Sequence, residues 1–404
     1  MFYSIAEFSI LRRKHNFTMK KCSKRIYWID GLRGFACLMI FIHHFSLGFF
    51  PASYYGGKVV SHINNGIDIS LSQYPLSVIY NGDFWVCIFC LLSGLVQSYK
   101  IFCTDGLGKV PEDMLKRYLR LSLPVFAVSF FVYLMMHLNL FYNLKINDVV
   151  ESPWLGAFYL DKASFKDVFI SSFITDWVTK NPMFSNAFWM LEYILIGSYI
   201  TYILAIIVKD KKPRVLIVLF FTGLLFYNRQ DYYLLFVIGV FIAYIMTYFD
   251  KQYKGQIVLG AIFIFIGLFF GGYPSGVTPD NIYHYFNSIG YVKCHILGAA
   301  LFVFGIYNCR FLINILESKV LLWFGKESFA IYLIHIPMIF SVTSYIFMKA
   351  YSVSGRYQMS AGVSFLISLV LIILLAWLFN KYVEKACGKI TGIVVKWIYE
   401  TEKK

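Results

Sequence analysis

Long uncharged apolar tracts alternate along this chain with short clusters of lysine and arginine. A bilayer-crossing helix needs about 20 consecutive, mostly apolar residues. Ten such tracts can be read, near 32–51, 84–103, 119–140, 188–208, 215–227, 232–249, 256–272, 292–308, 321–348 and 363–380. The pattern predicts an all-α integral membrane protein, a bundle of about ten transmembrane helices.

Composition sharpens this picture. Of 404 residues, 59% are hydrophobic and 15% charged, against about 25% charged in soluble chains. Disorder, collagen and a small disulfide-stapled domain are all excluded. The net charge of +15 would suggest nucleic acid in a soluble protein. Here the positive-inside rule accounts for it, and no nucleic-acid partner is expected. With an inner N-terminus, inner segments hold 26 of the 37 Lys and Arg, and outer segments hold 9. An even number of spans with both termini cytoplasmic follows. The chain reads as a multi-pass protein of the cell (cytoplasmic) membrane with lipids as its surroundings.

The expected organisation is a cytoplasmic segment 1–28, a ten-span membrane domain 29–383 and a basic cytoplasmic tail 384–404. Residues 1–18 read as an upstream extension before Met19. Ile393, Val394, Trp397 and Ile398 suit an interfacial helix in the tail. The eight cysteines lie in or beside spans or in inner segments, so no disulfides are expected. Cys87 and Cys90 form a CxxC without the second pair that a zinc ribbon requires, and they read as buried thiols. No convergent metal-ligand set is legible, and no metal is expected.

Ionisable residues inside spans are costly and are functional candidates by default. The first span offers Asp30-Gly31-Leu32-Arg33-Gly34 followed by His43-His44. Arg33 and His44 are close to three helical turns apart, so they share one face, about 16 Å apart along the axis. Arg33 then stands at the inner mouth and His44 near mid-depth, while His43 points about 100° away. Asp30 is close enough to pair with Arg33 and is also placed to cap the helix. The bland alternative is an arginine anchor and an interhelical histidine. For Lys116, Arg117 and Arg120 it is again inner-side anchoring, and for Trp189 an interface anchor. His335, just before Pro337, reads equally as a kink-associated or a site histidine. His62, His137, His284 and His295 read as loop, interface or packing residues.

Five segments, in order, resemble the acyltransferase 3 family. They are Ile29–Gly34 with His44; Ile88–Leu95, ending in Ser-Gly-Leu; Lys116–Pro124; Phe188-Trp189 with Gly197-Ser198; and Phe324-Gly325-Lys326 through Tyr332-Leu333-Ile334-His335-Ile336-Pro337. Glu384 falls in the family's closing segment. The resemblance implies a ten-span membrane enzyme that transfers an acyl group, often acetyl, from acetyl-CoA or another acyl-CoA donor. The acceptor would be a hydroxyl of a surface polysaccharide, glycolipid, lipid-linked sugar or small molecule. It implies His44 as catalytic residue, Arg33 as its companion with Asp30 beside it, and Arg117 and Arg120, with Lys116, on the donor side. Bidentate guanidinium groups suit the phosphates of CoA. One departure stands out. The family usually carries Glu five residues after the fourth-span Trp, where this chain has Ile194, and Glu192 lies only three after Trp189. Glu192, Trp189 and His335 are therefore possible site residues.

His44 is expected to act as general base on the acceptor hydroxyl, or as a nucleophile that carries the acyl group. A proton-coupled transporter or exporter could use the same His and Arg, but matching broken helices in two halves are not seen. A catalytically silent scaffold or sensor is the third reading. The donor is expected from inside, and loops 52–83 and 141–187 are expected to cover the outer end and select the acceptor.

Overall fold

The computed structural model describes residues 25–73, 75–104, 110–179, 182–209, 232–248 and 256–401. Among them the secondary structure is helical throughout. The helices that build the bundle are α1 (Tyr27–Phe49), α2 (Gly82–Phe102), α3 (Val110–His137), α4 (Phe165–Phe173), α5 (Leu191–Val208) and α6 (Tyr233–Tyr248). They continue with α7 (Gln256–Gly271), α8 (Tyr291–Asn308), α9 (Lys319–Met338), α10 (Ser344–Ser354), α11 (Tyr357–Phe379) and α12 (Lys385–Thr401). Seven described segments are long and apolar enough to cross a membrane, and two shorter apolar helices, α6 and α7, accompany them. Nine of the ten expected spans thus coincide with helices. The tenth, 215–227, lies outside the described residues, as do residues 1–24 with Met19.

Several boundaries differ from the hydropathy reading. Helix α3 starts at Val110, so the basic motif 116–120 lies within it. Its opening turn carries Glu112 and Asp113, which complement the helix dipole, and Glu112 pairs with Lys116 one turn on. Charge hides such a turn from hydropathy. Helix α1 starts at Tyr27, with Ile26 at the cap position. Asp30 therefore sits inside the first turn and is not the cap. The ninth expected span is α9, a π turn over Ile339–Thr343 and α10. The π turn follows Pro337, which has no N–H to offer the helix ladder. A second π turn, Asn380–Glu384, joins α11 to α12, so the tail continues the last span as helix. Cys103 is disulfide-bonded, contrary to the expectation of unpaired thiols; its place next to a span end gave no sign of this. The other described cysteines are free.

The crossing of α1 with α9 positions the site. A Cβ at Gly34 would lie 2.4 Å from the Leu321 carbonyl oxygen, and one at Gly325 would lie 2.0 Å from that of Asp30. Only glycine lets two backbones approach so closely, the usual device of helix pairs in membranes. Both glycines belong to motifs singled out above. Each stands ten residues before a histidine on its own helix, Gly34 before His44 and Gly325 before His335. Ten residues rise about 15 Å, so two helices running the same way from one contact bring both histidines to the same depth.

The outer connections do more than cover the bundle. His62 stacks on Tyr357 with ring centroids 4.0 Å apart and bonds the Val150 carbonyl at 2.8 Å, tying loop 52–83 to α11 and to loop 141–187. The second half of 141–187 turns back along α3. Phe165 packs against Phe130 and Tyr133, Phe173 packs against Phe126, and Trp177 reaches Tyr118. The apolar stripe Phe165, Phe169, Phe173 at i, i+4, i+8 matches the face of α3, which draws α4 toward the N-terminal half of that helix. This part of the loop is therefore not an outer cover.

Candidate active site

His44 and His335 meet where the crossing predicts. His335 Nε2 and His44 Nδ1 are 3.1 Å apart, and the ring centroids are separated by 4.9 Å. The surrounding carbonyls fix the proton positions. His335 Nδ1 lies 3.0 Å from the Ile331 oxygen and 2.9 Å from that of Tyr332, both acceptors, so Nδ1 carries the proton and Nε2 a lone pair. His44 Nδ1 faces that lone pair and the Ile40 oxygen at 3.0 Å, so it too carries its proton. His44 Nε2 is left as a free lone pair. A base whose second nitrogen is oriented by a neighbour is the arrangement that serine-hydrolase triads use.

Two aromatic rings frame His44. Trp154, from the outer connection, lies 5.4 Å away by ring centroid and is anchored by its Nε1 on Asn186 Oδ1 at 3.2 Å. His43 stands edge-on at 4.8 Å and is held by the Tyr80 carbonyl at 2.7 Å. It occupies a different face from His44, as the helical rotation predicts.

Beside the histidines lies a cavity of about 250 Å³. Arg33, Arg117, Arg120 and Glu384 line it toward the inner mouth, Ile40, Phe89 and Met190 flank it, and His335 is the lining residue farthest along α9. His44, one turn beyond Ile40 on α1, lies behind His335 rather than in the lining. Arg117 Nε donates to Ser198 Oγ at 3.2 Å, and Gln97 donates to the same oxygen at 3.1 Å. That gives the Gly197-Ser198 match a physical purpose, with Ser198 orienting a buried guanidinium. A Cβ at Gly197 would also strike the Phe236 ring at 2.4 Å.

Other expected residues are arranged differently. Asp30 pairs with Arg25, Nε to Oδ2 at 2.7 Å, and not with Arg33. Arg25 precedes the helix and folds back over its first turn, where it outcompetes a partner whose own direction is set by the cavity. Arg33 Nε is buried without a hydrogen-bond partner. Neither Asp30 nor Lys116, held by Glu112, lines the cavity. Glu192 accepts from the Tyr233 hydroxyl at 2.9 Å, away from the cavity, whereas Ile194 lines it. The two-residue offset turns a helix side chain by about 200°, so Glu192 does not face the cavity that Ile194 lines. Trp189 packs between Tyr193 and Tyr232 and also lies outside the lining.

The sequence reading missed Trp154 as a neighbour of His44. It also passed over Asp83, which pairs with buried His295 at 2.7 Å and takes the Tyr232 hydroxyl. A carboxylate in the first turn of one span and a histidine in another were the available signals.

Comparison with known proteins identifies the family. A family model described as an acyltransferase domain, acyltransferase 3, matches residues 26–381. Acyltransferase R4 of Phoma sp. is 24% identical over 147 residues, 32% of this chain and 30% of that protein. Acyltransferase clz18 of Cochliobolus lunatus is 29% identical over 100 residues, 24% of this chain and 21% of that protein. O-acetyltransferase PaAT-1 of Phomopsis amygdali is 30% identical over 122 residues, 28% and 23% of the two chains. The matched stretches thus span less than a third of each curated relative. No solved structure matches. The model match covers most of the chain and all five motifs, and the chain belongs to the acyltransferase 3 family of membrane proteins.

Proposed function

We propose that this protein is a ten-span O-acyltransferase of the cell membrane, both termini cytoplasmic. It moves an acyl group, acetyl in the first instance, from acyl-CoA to a hydroxyl of a surface polysaccharide, glycolipid or related small acceptor. The observation that carries this reading is the free lone pair of His44, oriented by His335 at the far end of a cavity whose inner mouth is lined by arginines. An O-acetyltransferase among the relatives supports acetyl as the group and oxygen as the acceptor atom.

In the proposed step His44 Nε2 takes the acceptor's hydroxyl proton while that oxygen attacks the thioester carbonyl. The tetrahedral intermediate collapses with loss of the C–S bond, and the CoA thiolate leaves and takes up the proton. His335 positions His44 and spreads the charge of the imidazolium. Arg117 and Arg120 hold the donor's diphosphate, and Arg33 supplies positive charge where negative charge develops.

The test uses sealed vesicles of known orientation, with acetyl-CoA on the donor side and a hydroxyl acceptor on the other. Transfer is expected with the native chain and is expected to fall by two to four decades in His44→Ala, with unchanged chromatographic behaviour. Undiminished transfer in His44→Ala would overturn the assignment. A trapped acyl-enzyme in single turnover without acceptor would replace direct attack by a covalent route. Turnover only with both substrates in one compartment would reject the cross-membrane arrangement.

A further inference from the structure

A second cavity, of about 430 Å³, opens at the donor-side ends of α9 and α11. It is lined by Lys326, Lys381, Lys385, Trp377, Asn380 and the two carboxylates Glu327 and Glu384. Glu384 lines the catalytic cavity as well, so the two spaces adjoin at one side chain. The π turn Asn380–Glu384 brings this about. Its extra residue per turn re-aims the side chains that follow, and π turns of this kind gather at functional sites.

The chemistry of the second cavity differs from that of the first. Three ammonium groups stand around it, one of them, Lys326, on a side chain that is 64% exposed and 3.5 Å from Glu327. Lys381 Nζ lies 4.7 Å over the Trp377 ring. Mobile point charges beside an indole suit a ligand with both phosphates and a flat aromatic base. At the junction, Glu384 Oε1 is buried with no hydrogen-bond partner among the described residues. A buried acceptor without a partner is costly, and a ligand bearing N–H or O–H donors would satisfy it.

We propose that this second cavity binds the 3′-phosphoadenosine end of the CoA donor. In that pose Lys326, Lys381 and Lys385 meet the phosphate, Trp377 meets the adenine, and Glu384 accepts from the amide or hydroxyl groups of the pantetheine arm as it passes into the catalytic cavity. The diphosphate is left to Arg117 and Arg120, which line the catalytic cavity together with Glu384. This extends the acyl-CoA reading above and rests on it.

The experiment measures calorimetric binding of adenosine 3′-monophosphate to the purified full chain in detergent, beside turnover with acetyl-CoA and with S-acetylpantetheine. Lys381→Ala and Lys385→Ala, both at exposed positions, are expected to weaken nucleotide binding about tenfold each, as loss of a charge-assisted contact does. They are expected to raise the KM for acetyl-CoA similarly and to leave turnover of S-acetylpantetheine unchanged, while Arg117→Ala keeps native affinity for the 3′-monophosphate. No binding to the native chain, or binding weakened by Arg117→Ala and not by the lysine variants, would overturn the proposal. If neither thioester supports transfer although the 3′-monophosphate binds as described, acyl transfer is refuted and the nucleotide site stands.

Discussion

Helices α1 and α9 are pressed together by glycine, and so are α7 and α8. In the first pair Gly34 and Gly325 lie against backbone at 2.4 and 2.0 Å from a notional Cβ. In the second, Gly298 faces the Gly267 oxygen at 2.8 Å and Gly305 faces that of Gly260 at 2.8 Å. The contact is the same device, yet the outcomes diverge. Helix α7 carries no ionisable residue, and Lys293, Cys294 and His295 of α8 sit at its start. The α1–α9 pair carries Arg33, His44, Glu327 and His335 along its length. Glycine interlock is therefore a means of building the bundle, and under the proposed function it matters to the chemistry only where it sets the register between Arg33, His44 and His335.

This difference can be broken experimentally. Gly325→Ala is expected to cost about a hundredfold in kcat, because a misplacement of about 1 Å at a reacting pair has that effect. Gly298→Ala is expected to leave kcat of the folded protein unchanged while destabilising it by about 1–3 kcal/mol, the usual cost of overpacking. Thermal melts in detergent beside initial rates separate the two. Equal losses of kcat in both variants would dissolve the distinction.

A smaller effect is expected at the donor mouth. Arg117→Ala removes the guanidinium that Ser198 orients, and loss of a charge-assisted contact costs about 1.5–3 kcal/mol, or roughly one to two decades in the apparent donor constant. An unchanged KM for acyl-CoA would remove Arg117 from the donor site.

The smallest effect belongs to α4, far from the chemistry. Ser164 caps this helix, with its hydroxyl 2.7 Å and its backbone N–H 2.8 Å from Asp167 Oδ2, and these bonds hold the Asp167 carboxyl below the ordinary carboxylate range. A lowered carboxylate stabilises above its unfolded value and loses that contribution as pH falls through the folded one. Ser164→Ala is expected to cost about 1 kcal/mol locally, visible as faster amide exchange in 165–173 at neutral pH. The difference from the native chain should shrink in acid. Altered kinetics in this variant would tie α4 to the site.

Much of this was legible in the sequence, for reasons that differ by feature. Apolar tracts declare spans because a bilayer demands continuous hydrophobicity, and Arg33 and His44 declare a shared face because helical rotation is local. What was not legible is what depends on contacts across the chain. His44 and His335 are 291 residues apart, and their meeting follows from backbone contact at two glycines that look alike in any sequence. Asp30 was offered Arg33 by spacing and took Arg25, because the end of a helix has freedom that periodicity ignores. The start of α3 was masked by its own charges. The fate of Glu192 turned on rotation about a helix whose facing partners no local pattern reveals.

Trp154 belongs to a connection and not to a bundle helix, yet it forms the ceiling over His44. Under the proposed function, catalysis and selectivity are thereby housed in parts of the chain with different freedom to vary. Rewriting residues near Trp154 alters the roof without disturbing the glycine-locked helices that hold the histidines or the basic residues that face the donor. An ancestral scaffold of this kind can be retuned to a new hydroxyl compound by exchanging one outer segment. By the same logic, a small inhibitor that wedges beneath the indole would have no need to cross the bilayer.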